Sequence, residues 1–235
     1  MDIHTTTVGE TVAQNYRAAD VFKRHGIDFC CGGKRPIAEV CRQKNIDSQL
    51  IEKELSDILS VPKEDTNNYQ EWSLTELSNY IIGKHHKYVE ENTPLIHQYI
   101  SKVARVHGHH NTETVEIAEL FDEVASELLM HMKKEEQILF PYIQQLEQNI
   151  EKEGMPPFGT VKNPIRMMEH EHDLAGNIMG RIRELSNNFT PPEHACNTYR
   201  VSYAKLEEFE ADLHLHVHLE NNILFPRAII LEDKK

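Results

Sequence analysis

From Trp72 onward, apolar residues recur three or four positions apart in four long stretches, the period of a helix with one buried face, and strong breaks separate them. The first runs from about Ser73 to Val106 and stops at His107-Gly108-His109-His110-Asn111. The second runs from about Thr112 to Ile150 and stops at Glu153-Gly154-Met155-Pro156-Pro157, and the third covers about Val161 to Asn187. The fourth opens at Thr190-Pro191-Pro192-Glu193, which reads as a capping box with proline in the first helical position, where its missing N–H costs nothing. Four helices of this length with short connections predict an antiparallel four-helix bundle over residues 73–235.

The first 59 residues follow a different rhythm. Val8, Val12, Ala19, Val21 and Phe22 predict a helix, broken by Gly26-Ile27-Asp28-Phe29-Cys30-Cys31-Gly32-Gly33, whose paired glycines allow a tight backbone path. Pro36 is placed to start a second helix, and Ile46, Leu50, Ile51, Leu55, Ile58 and Leu59 predict a third. The expected organisation is a small helical module over 1–59, a polar linker over 60–72, and the bundle; the fold class is all-α.

One segment occurs twice. His131-Met132-Lys133-Lys134-Glu135-Glu136-Gln137-Ile138-Leu139-Phe140-Pro141 and His216-Val217-His218-Leu219-Glu220-Asn221-Asn222-Ile223-Leu224-Phe225-Pro226 share the form His-x3-Glu-x2-Ile-Leu-Phe-Pro, 85 residues apart. The bundle therefore reads as two helix pairs related by a pseudo-twofold. The proline in each copy is expected to kink or end its helix, because it frees the carbonyl four residues back.

Histidine and glutamate four residues apart stack on one helix face, an arrangement common on solvated surfaces, so the apolar phase has to decide its meaning. On the fourth helix, Leu206, Phe209, Leu213, Ile223 and Pro226 share a stripe with His216 and Glu220, whereas His214 and His218 fall with Glu207, Glu210 and Asn221 on the polar face. On the second, Ile117, Leu120, Val124, Ile138 and Tyr142 are in phase with His131 and Glu135. Ionisable pairs facing a core are costly unless they ligate, so the pattern predicts metal binding. On the third helix, Ile165, Met168, Ala175, Met179 and Ile182 select His172 and leave His170 outside. On the first, His85 and His86 compete; the stripe favours His86, as does its 45-residue interval to His131, close to the 44 between His172 and His216.

Four histidines and two glutamates exceed the four ligands of one zinc and suit two six-coordinate ions bridged by both carboxylates, with iron favoured. Glu127, one turn before His131, and Glu171, beside His172, flank the stripe as candidate acceptors behind the ligands, proton relays or a path for cations.

Composition narrows the function classes. The net charge is −13 and no basic stripe offsets it, which weighs against nucleic acid and favours cations. No apolar run approaches the ~18 residues that span a bilayer. The start, Met1 to Glu10, lacks the basic and apolar regions of a secretory leader, so a cytoplasmic location is expected. Four cysteines, at 30, 31, 41 and 196, are too few and too scattered for a disulfide framework. Only 10 glycines argue against a turn-rich β protein.

The paired motifs, Glu171-His172-Asp173 and Asp28-Phe29-Cys30-Cys31-Gly32-Gly33 together resemble the repair-of-iron-centres (RIC) or ScdA-type family, iron–sulfur cluster repair di-iron proteins, over nearly the full length. The resemblance implies a hemerythrin-like bundle with a carboxylate-bridged, non-haem centre of two irons held by His86, His131, Glu135, His172, His216 and Glu220. It also implies an association of Glu127 and Glu171 with a channel to the irons. Its implied role is repair of clusters damaged by nitric oxide or oxidative stress, with damaged iron–sulfur proteins as partners, nitric oxide or O2 as small ligand, and a homodimer compatible. The same open site would serve an O2- or NO-binding carrier or sensor, or a nitric oxide reductase, so the enzyme question stays open. The chain departs from the family in extra histidines, among them His85, His170, His214, His218 and those of the 107–110 loop, which are expected to be exposed, and in Phe29 where tyrosine is expected. Cys30 and Cys31 are read as reactive thiols, with low burial and Lys34-Arg35 favouring the thiolate, while Cys41 and Cys196 are read as packed.

Overall fold

The computed structural model describes residues 2–60, 68–149 and 156–234, and among these the regular structure is helical, with one isolated bridge between Thr7 and Pro36. The expected linker over 60–72 lies mostly outside the described residues; its end forms a short 3-10 turn, Tyr69–Glu71. By contacts the chain divides into two compact units, residues 1–77 with 214–235, and residues 78–213.

In the first unit, α1 (Val8–Gln14) opens with a capping box in which Thr7 Oγ1 accepts from the Glu10 N–H and the Glu10 carboxylate accepts from the Thr7 N–H. The single first helix expected from the sequence is two. Asn15 is extended and its side-chain oxygen accepts from the Arg17 N–H, a local bond that competes with helix continuation, so α2 (Ala18–Arg24) starts afresh. After the Gly32–Lys34 turn come α3 (Ile37–Lys44), ended by Asn45 in the left-handed region, and α4 (Ser48–Ser60). Val8, Val12, Val21, Phe22, Ile37, Val40, Ile51 and Leu55 form the core of this module.

The remaining elements are α5 (Leu74–Tyr80), α6 (Lys87–His107), α7 (Glu113–Lys134), α8 (Phe140–Glu147), α9 (Lys162–Leu185), α10 (Asn197–Leu219) and α11 (Phe225–Glu232). In the second unit, α6, α7, α9 and residues 197–213 of α10 bury the stripes read from the sequence: Ile96 and Ile100, Ile117 and Val124, Met168 and Met179, Leu206 and Phe209. Phe121 and Phe209 meet edge to face with centroids 5.2 Å apart.

Two features differ from expectation. The fourth long helix begins at Asn197 rather than at Thr190-Pro191. A residue before proline is disfavoured in the helical region, so Pro191, followed by Pro192, cannot open a helix, and Asn187, Asn188 and Phe189 run through the left-handed region instead. Nor do Pro141 and Pro226 end their helices. Each is absorbed by a π-turn, Glu135–Leu139 and Glu220–Leu224, in which the N–H of Phe140 or Phe225 donates to the carbonyl of the glutamate five residues back. A third π-turn, Ile81–His86, joins α5 to α6.

Candidate metal centre

In the second unit, the π-turns deliver side chains to one buried point. His131 Nε2 lies 3.0 Å from His172 Nε2 and 3.3 Å from Glu135 Oε2, and the donor atoms of these three residues are all within 4.8 Å of one another. The same Glu135 oxygen lies 3.4 Å from His86 Nε2, so one carboxylate stands between two imidazoles. The outer nitrogens are held as well: His86 Nδ1 lies 2.7 Å from Glu136 Oε1, and His131 Nδ1 lies 2.9 Å from Glu171 Oε2. A carboxylate on Nδ1 fixes that proton there and turns the Nε2 lone pair inward, the usual support of a ligating histidine. The hydrogen bond to His131, helped by Lys134 Nζ, holds the Glu171 carboxyl down at about 2. Nitrogen and oxygen donors without a thiolate suit a borderline first-row cation such as iron. Phe140 stacks on His86 at 5.8 Å and shields its ring.

In the first unit, His216 Nε2 and Glu220 Oε1 are 3.1 Å apart, both fully buried, with Glu220 opening its π-turn as Glu135 does. The two copies of the motif thus have the same local form.

Profiles of known families match two parts of the chain: ScdA_N, a domain of unknown function, over residues 4–59, and the hemerythrin HHE cation binding domain over residues 78–228. Proteins named iron–sulfur cluster repair protein YtfE, from Yersinia pestis (strain Pestoides F) and Yersinia pseudotuberculosis serotype O:3 (strain YPIII), are 38% identical over 229 residues, covering 97% of this chain and 99% of theirs. The chain belongs to this iron–sulfur cluster repair family. Its bundle is hemerythrin-like, and its HHE domain is a cation-binding one.

The chain's other sequence features fall into place unevenly. His170 is exposed as expected, but His85 and His218 are buried, not solvated. His85 turns from the Glu135 group and puts Nδ1 2.9 Å from Asp212 Oδ1. His218 sits against Phe29 and Tyr16, and burial takes it down to about 4, which keeps the ring neutral. The polar face of α10 is therefore covered over part of its length: Glu210 is buried against Arg183 and His214 is half-buried, whereas Glu207 is exposed. Glu127 is exposed on α7. Glu136 and Asp212 were missed, because a carboxylate that braces a histidine from another helix leaves no periodic signal.

The exposed thiolate expected at Cys30 is not found. Its sulfur is buried, 3.8 Å from Cys31 Sγ and 3.1 Å from Asp28 Oδ1; sharing a hydrogen bond with Cys31, burial and the Asp28 charge all raise its pKa. Asp28 also accepts from the N–H groups of Cys30, Cys31 and Gly32, which shapes the turn. Cys41 is buried as expected, whereas Cys196 is exposed with its sulfur 3.4 Å from His107 Nε2.

Proposed function

We propose that the chain is a di-iron protein that repairs iron–sulfur clusters damaged by nitric oxide or oxidants, with His86, His131, Glu135, His172, His216 and Glu220 as its ligands. The observation that carries this reading is the Glu135 carboxylate oxygen, 3.4 Å from His86 Nε2 and 3.3 Å from His131 Nε2, where one carboxylate would serve cations held by both imidazoles. The repeat supports assigning Glu220 the matching role. Bound there, iron would supply a redox-active cation with positions open to a small ligand such as nitric oxide or O2.

The protein's own groups do the rest. Glu136 and Glu171 orient His86 and His131 and hold their Nδ1 protons. Phe140 and the apolar stripes exclude bulk water. Iron passing to a damaged iron–sulfur protein is cargo in this reading, and four free cysteines are consistent with work in the cytoplasm. Among the described residues no helix is long and apolar enough to cross a membrane.

Anaerobically purified protein is expected to hold about two irons per chain, the stoichiometry of carboxylate-bridged bundles. His131→Ala and Glu220→Ala should lose iron while the exposed His170→Ala keeps it. Iron-loaded protein should restore an aconitase inactivated by nitric oxide faster than the same amount of free ferrous iron. Equal rates would refute the repair role, and catalytic nitrous oxide formation with a supplied electron donor would favour reduction of nitric oxide instead.

A further inference from the structure

The second copy of the repeated motif differs from the first at five positions, and one of them carries a contact that the metal site does not use. Where the first copy has the exposed Gln137, the second has Asn222, inside the π-turn opened by Glu220. The Asn222 side chain reaches the N-terminal segment. Its Nδ2 lies 3.1 Å from the Cys30 carbonyl, 3.3 Å from the Phe29 carbonyl and 3.2 Å from His218 Nδ1, so two N–H bonds are shared among three acceptors. Its Oδ1 rests between Gly9 and Gly33; a Cβ on either glycine would overlap it. The second glycine of Cys30-Cys31-Gly32-Gly33 is thus explained by the space this one amide occupies.

The packing around Asn222 repeats the theme. His214, His218 and Asn222, at intervals of four, make one face of the helix, and the rings of His214 and His218 meet Phe29 at 5.8 and 5.9 Å. His216 and Glu220 lie two residues away from these positions, about 200° around a helix. One short stretch of helix therefore presents its ligand pair on one side and grips the thiol turn on the other.

We propose that Asn222 is a positioning residue that couples the Cys30–Cys31 turn to the Glu220 turn, so that a cation on Glu220 and access to the thiols influence each other. This rests on the reading of Glu220 as a ligand. Coupling between sites is reciprocal. A cation that fixes Glu220 tightens the π-turn that carries Asn222 and closes the thiol turn, and disturbing the thiol turn loosens the cation.

The test uses the full chain with Cys196→Ala, which removes the exposed thiol from the signal. Alkylation of Cys30 and Cys31 by iodoacetamide, followed by peptide mass spectrometry, is expected to be at least about fivefold slower in iron-loaded than in iron-free protein. In Asn222→Ala both states should react at the fast rate. Asn222→Asp, equal in size but unable to donate to the Phe29 and Cys30 carbonyls, should behave like Asn222→Ala. Release of iron to a chelator should accelerate on alkylation in the parent and not in either variant. Labelling that ignores iron in the parent, or protection that survives in both variants, overturns the coupling. Full iron retention by Glu220→Ala would instead overturn the ligand assignment, a separate result.

Discussion

At the residue scale, what was legible was the side of the helix on which a histidine stands. His86, His131, His172 and His216 were selected by their phase against apolar neighbours, and all four are buried. What was not legible was what covers the other side. His218 shares a face with charged residues, yet it is 1% exposed, because Phe29 and Tyr16, from the N-terminal module, pack on it. Carboxylates behind the ligands were legible only in part, since Glu171 was flagged by its place beside His172 and Glu127 by the same logic of adjacency. The geometry separates them. Glu171→Gln should weaken iron binding about tenfold in chelator competition, because it removes the charged acceptor on His131 Nδ1, whereas Glu127→Gln should leave it unchanged.

At the element scale, the proline in each repeat, expected to kink or end its helix, disturbs it without ending it. A proline lacks the N–H that would close an ordinary helical turn, and widening the turn by one residue lets the chain continue. That extra residue also shifts the phase beyond it. Ile138, assigned to the buried stripe by ordinary helical spacing, is 50% exposed, and Leu139 takes the inward place at 1%. The two residues should therefore respond in opposite ways to truncation. Leu139→Ala is expected to cost about 2–5 kcal/mol in denaturant unfolding of the iron-free protein, the usual loss for a buried leucine, and Ile138→Ala less than about 0.5 kcal/mol. The capping box at Thr190 failed for a related reason. Its residue types were right, but two consecutive prolines fix a backbone that the pattern of caps does not consider.

At the scale of the whole molecule, residues 214–235 group by contacts with the first 77. Asn222 and the covered face of α10 account for this grouping within that unit. The net charge of −13 acts at the same scale, raising the local concentration of cations over the whole surface. Ferrous iron uptake by the iron-free protein, followed by stopped-flow absorbance, should slow several-fold between ~0.01 M and ~0.15 M salt, as the screening length contracts from ~30 to ~8 Å. An uptake rate indifferent to salt would assign the charge to solubility alone.

The π-turns also mark where the two halves agree and where they differ. A π-turn amounts to one residue inserted into a helix, and the two copies of the repeated motif carry theirs at the same place, each starting on its glutamate. The insertion falls at the same register in both copies, so the two motifs keep one frame from glutamate to proline. The third, Ile81–His86, ends on His86, while α9, which carries the matching His172, runs from Lys162 to Leu185 as an unbroken α-helix. That insertion has no counterpart on the helix of His172. The glutamate turn is common to both motifs, and the arm bearing His86 has an adjustment of its own.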